Sequence, residues 1–149
     1  MKKVKVKNYL QQVQKIDVII KNKMIEKEQW KAMAESITAA SDGERVQASG
    51  SQQKMADAVI RYVEIEAEID EYINLLLETK RDVVSVIERL PAIEYDVLHK
   101  IYIQYKEMYE VAAECQKTYS WVTTIHGRAL KHVQEILQKK HEHHSSEGE

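Results

Sequence analysis

Residues 52–90 contain neither Gly nor Pro. Apolar side chains recur through that stretch at alternating steps of three and four, at 55, 59, 62, 66, 69, 73, 76, 80, 83, 87 and 90. Nine of these eleven positions are Met, Val, Tyr, Ile or Leu, the exceptions being Glu66 and Lys80. That spacing keeps one face of a helix apolar. It predicts a single coiled-coil-like helix of roughly 55–60 Å, at about 1.5 Å rise per residue. Glu66 and Lys80 either set register within the seam or sit at a solvated edge.

The rest of the chain agrees with this start. Four Gly and one Pro in 149 residues, with 31% charged side chains, leave too few breakers for a sandwich or a doubly wound sheet. The expected fold class is all-α. Residues 6–40 carry Val6, Leu10, Val13, Ile20 and Met24, then Trp30, Met33 and Ile37, at helical spacing that slips between Ile25 and Trp30, so no strict heptad runs through. The stretch 41–50, with Gly43 and Gly50, is expected to be a loop, with Ser51 as N-cap of the next helix. Two long helices joined by a short loop predict an antiparallel hairpin over residues 1–90. Residues 1–50 carry ten Lys/Arg against six Asp/Glu, and residues 51–91 carry five against nine, so the two helices are complementary in charge. A two-helix hairpin has little core, and a homodimer is expected.

Pro91 ends the long helix, its missing N–H being harmless in a first turn. A helix is predicted over 92–105, burying Ile93, Val97, Leu98, Ile101 and Tyr105. A short helix from Met108 to about Gln116 follows, then a helix capped by Thr118 or Ser120 and running to about Gln138. Residues 139–149 are expected to be a disordered tail, so 91–138 forms the second domain.

Counted over twenty residues from Met108, the two short helices match a helix-turn-helix. Ala112 is small where the helices cross, and Val111, Cys115, Val122 and Ile125 fill the apolar places. Gln116 stands in the turn where Gly is common, which requires a left-handed conformation. Val122, Ile125 and Ala129 share one face. Tyr119, Ser120, Thr123 and Thr124 would then face the major groove, while Lys117, Thr118, Arg128 and Lys131 suit phosphate contacts. Arg, Asn and Gln, which supply most bidentate readout, are missing from the groove-facing set. Trp121 is expected to pack, and His126 to contact DNA or face solvent. Segment 92–140 carries seven basic against six acidic residues, so affinity is expected to be modest.

Other classes find no motif. There is no nucleophile–base pair, Gly-rich phosphate loop or paired metal-ligand spacing, so an enzyme, a cofactor and a small-molecule substrate are not expected. His141, His143 and His144 lack a fourth ligand. Lone Cys115 makes no internal disulfide and is expected to pack as a small hydrophobe in a reducing cytoplasm. No apolar run reaches membrane-spanning length.

Residues 90–137, above all Tyr105, Glu110-Val111-Ala112, Val122, Ile125 and Ala129-Leu130, resemble the helix-turn-helix of region 4 of bacterial sigma factors. The string Glu44-Arg45-Val46-Gln47-Ala48-Ser49-Gly50, followed by Lys54-Met55-Ala56-Asp57-Ala58-Val59-Ile60, resembles small phage-encoded regulators of Gram-positive bacteria, of the ArpU and RinA types. The resemblance implies a phage or prophage transcriptional regulator with promoter DNA and RNA polymerase as partners. It implies DNA contacts at Tyr119, Ser120, Thr123, Thr124 and Lys131. Thr and His stand where those proteins carry Arg and Gln or Glu, so their base preference does not transfer. The alternative is a coiled-coil interaction module that binds RNA polymerase or another protein without touching DNA.

Overall fold

A computed structural model describes residues 2–41 and 48–147, and every regular element in them is helical. The elements are α1 (Lys2–Ser41), α2 (Ala48–Ile87), α3 (Ala92–Leu98), a π-helical turn (His99–Ile103), α4 (Met108–Cys115) and α5 (Tyr119–Glu147). Two compact units result, one of residues 1–15 with 77–149 and the other of 16–76. Among the described residues no helix is long and apolar enough to cross a membrane.

In the unit of residues 16–76, Ile16 and Ile20 of α1 cluster with Ile65 and Ile69 of α2, and Trp30, Tyr72 and Leu76 pack around them. Lys23 donates to Glu68 at 2.7 Å and Lys27 to Glu66 at 3.3 Å. Partners fall along α2 as they rise along α1, and the ion pairs join the basic helix to the acidic one. Ion pairs at the surface, one part-buried and one exposed, contribute only about 0–1 kcal/mol each, so the isoleucine cluster carries the packing.

The buried stripe of α2 differs from the expected one by a phase step. Ala58, Ile65 and Ile69 are buried, Tyr62, Tyr72 and Leu76 half-buried, while Val59, Ile73, Glu66 and Lys80 are exposed. The steps are therefore three then four where four then three was expected. Both phases share 55, 62, 69, 76, 83 and 90, and the choice between Ile65 and Glu66 decides it, because an ionised carboxylate is costly to bury. On α1, Ile16 is buried whereas Met24 and Met33 are exposed.

Of the loop expected at 41–50, residues 42–47 lie outside the described residues. Ala48, Ser49 and Gly50 already belong to α2, so Ser51 lies inside the helix and is not its N-cap. A Cβ placed on Gly50 would meet nothing within 4 Å.

In the other unit, Val6, Leu10, Val13, Val83, Val86, Ile87, Leu90, Val97, Leu98, Val111, Val122, Ala129 and Val133 are buried. α3 stops at Leu98 and widens into the π-helical turn, instead of continuing to Tyr105. Gln104 N–H bonds to the His99 carbonyl at 3.0 Å and Lys106 N–H to that of Lys100 at 2.9 Å, with Tyr105 left-handed at φ 62°. The wider turn lets Tyr102 bury its ring. Glu94 is buried where Ile93 was expected, and Ile93 is 56% exposed. The inward row is 94, 97, 98, 101 and 102, and Glu94 is admitted because His132 Nδ1 pairs with its carboxylate.

α5 runs beyond the expected end at Gln138, through to Glu147. No Gly or Pro interrupts residues 128–147, so nothing stops propagation of a helix already nucleated by packing. Residues 139–147 are thus helical, in place of the expected disordered tail; 148 and 149 lie outside the described residues.

Candidate nucleic-acid interface

The corner between α4 and α5 is built by local chemistry. Glu107 N-caps α4 in a reciprocal capping box with Glu110, which satisfies two otherwise orphaned N–H groups. α4 ends at Gln116, which adopts φ 55°, ψ 43°, the left-handed conformation expected for the turn. Gln116 and Lys117 N–H groups bond back to Ala113 and Ala112 carbonyls at 3.2 and 2.9 Å. Thr118, not Ser120, caps α5: its Oγ1 accepts the Trp121 N–H at 3.0 Å. Such a cap contributes about 1 kcal/mol.

Packing holds the corner closed. Val97, Val111, Ala112, Val122 and Ile125 form one buried cluster, with Ile101, Met108, Cys115 and Trp121 packed against it. Fully burying each of its Val or Ile side chains stabilises by about 1.5–3 kcal/mol. Cys115 and Trp121 thus take the packing roles read from the sequence. His126 does not face solvent: it is buried, with Nε2 2.7 Å from the Tyr102 hydroxyl. Burial, reinforced by the Lys7 charge, lowers its pKa to about 4, and burial pushes Tyr102 up to about 12. His126 is therefore a neutral core residue, removed from the set that could meet DNA.

The eight expected DNA-contacting residues, Lys117, Thr118, Tyr119, Ser120, Thr123, Thr124, Arg128 and Lys131, are all exposed. Ser120, Thr123, Thr124, Arg128 and Lys131 share one side of α5, opposite Val122, Ile125, Ala129 and Val133, and span about 16 Å of the helix. Thr123 and Thr124 hydroxyls donate to the Ser120 carbonyl at 2.8 and 2.9 Å. Their methyl groups and remaining lone pairs are left for an outside partner. Gly127 lies among them, and a Cβ there would meet nothing within 4 Å, so this face is flat at its middle. Its place three residues after Thr124 puts it on the same face, a signal readable from helical period alone.

Charge is divided between the two helices. Lys106 and Lys100 are drawn to Glu114 of α4, and Lys100 also to Asp96. Arg128 and Lys131 form no ion pair among the described residues, and Lys117 Nζ stands 5.6 Å over the Trp121 ring. The uncompensated cations therefore lie on α5 and its approach. No family model, curated protein or solved structure matches this chain.

Proposed function

We propose that this chain is a DNA-binding transcriptional regulator of the sigma-region-4-like, phage or prophage type, acting in the cytoplasm with RNA polymerase. In this reading α4 and α5 are a helix-turn-helix, α5 enters the major groove, and α1 with α2 form an antiparallel hairpin. The observation that carries it is the corner itself. Gln116 turns left-handed between two helices whose apolar residues meet inside, and this leaves Ser120, Thr123, Thr124, Arg128 and Lys131 on one free face. Thr methyls suit thymine, and Lys117, Thr118, Arg128 and Lys131 suit phosphates. Two or three charged contacts supply modest affinity that falls steeply with salt.

The reading includes a homodimer. Val59, Ile60, Val63 and Ile73 are exposed on α2, an apolar stripe for a second copy to cover, and the acidic side chains of α2 complement a second copy's basic α1 in charge. The same stripe supports the alternative, a protein-interaction module that never touches DNA. A double Thr123→Ala, Thr124→Ala variant separates the two. Under the DNA reading it binds its selected duplex at least tenfold more weakly in fluorescence anisotropy, with unchanged helix content and melting temperature. Unchanged binding, or no duplex binding by the wild type at low salt, refutes the DNA reading.

A further inference from the structure

Lys139 and Lys140, read from sequence as part of a tail, lie on α5 beside the end of α2. There Ser85, Val86, Arg89, Lys139, Lys140 and His143 line an open cleft of about 430 Å³. Ser85 and Val86 come from the last turn of α2 and Arg89 from the turn that follows it, while Lys139 and His143, four residues apart, share one face of α5. Three obligate cations and an imidazole converge there.

Asp82 pairs with one of these cations and leaves the other two. Asp82 accepts the Tyr9 hydroxyl at 2.6 Å and Lys140 Nζ at 3.2 Å. The Tyr9 bond, with help from Lys140, holds its carboxyl below the usual range. Asp82 thus anchors Lys140 at the rim, while Arg89 and Lys139 have no ion pair among the described residues. The Ser85 hydroxyl donates to the Asp82 carbonyl at 2.7 Å, so cationic groups are the donors left for a ligand. A planar guanidinium beside an ammonium, over buried Val86, suits an oxyanion with several acceptor oxygens.

We propose that this cleft is a phosphate-binding site, for a free phosphoanion or for a nucleic-acid backbone. It does not depend on the α4–α5 reading. Two probes test it on the full chain: inorganic phosphate, followed through the Arg89 side-chain and Lys139 amide NMR signals, and a short labelled duplex followed by anisotropy across salt. The variants are Arg89→Gln with Lys139→Gln, and Lys139→Gln alone as a milder change, each checked for helix content and melting.

Saturable phosphate shifts in the wild type that the double variant loses support the site. A duplex salt slope that becomes shallower by up to about 2 in the same variant assigns it to a nucleic-acid backbone, at about 0.9 per phosphate contact. An unchanged slope assigns it to a free phosphoanion. No saturable shift and no change in slope overturn the proposal. Phosphate binding without any duplex binding would keep the cleft and remove the DNA reading. Duplex binding abolished only by the Thr123 and Thr124 changes would do the reverse.

Discussion

Acid should destabilise this protein through His126 in particular. Its imidazole is 5% exposed and bonded to Tyr102, and burial, with the Lys7 charge, lowers its pKa from 6.5 to about 4. The unfolded chain therefore binds a proton at a pH where the folded chain does not, and stability is lost as pH falls. The full contribution is present above about 6.5, declines below it, and is spent once pH passes about 4. At about 1.4 kcal/mol per pH unit the gap amounts to about 3.5 kcal/mol, of which about 2 kcal/mol is lost by pH 5. Urea unfolding at pH 7.5 and pH 5, for wild type and His126→Gln, isolates this one group, because other titrations are common to both proteins. Wild type should lose about 2 kcal/mol more than the variant between the two pH values. Equal losses would show that His126 is not held neutral by burial, and the α5 core assignment would need revision.

Gln116 at the corner and Gly127 within α5 each give a backbone prediction. Gln116→Gly should stabilise by about 0.5–1 kcal/mol, because Gly enters the left-handed region without the steric cost a Cβ incurs there. Gln116→Val should destabilise instead, and a thermal melt of each variant reads the sign. Gly127→Ala should raise stability by about 1 kcal/mol, since a methyl meets nothing there and Ala favours helix. If DNA lies against the flat centre of α5, the same variant binds duplex more weakly. Unaltered affinity in anisotropy would place the contact elsewhere on the helix.

Local chemistry was legible in the sequence wherever it was self-contained. Breaker-free runs predicted long helices, Pro91 a boundary, and Gln116 a left-handed turn. The Val122, Ile125 and Ala129 stripe identified the buried side of α5, and thereby the free side carrying Thr123 and Thr124. Each of these depends on neighbours within a turn or two, where steric limits and helical period act without outside help.

Choices between near-equivalent faces were not legible. Periodicity at 55, 62, 69 and 76 is shared by two phases of α2, and packing against the isoleucines of α1, where burying the Glu66 carboxylate would be costly, selects the phase with Ile65. Glu94 displaces Ile93 from the core because His132, far along the chain, supplies a partner for the carboxylate. His126 is polar by composition, yet becomes a neutral core residue once Tyr102 meets its ring. The cleft of Arg89, Lys139 and Lys140 exists only because α5 continues past Gln138 to reach the end of α2. Sequence determined the helices and their local corners, since those are set by bonds and contacts a few residues apart. Tertiary structure decided which charges are buried, paired or left free, since desolvation and Coulomb energies depend on partners that only folding brings together.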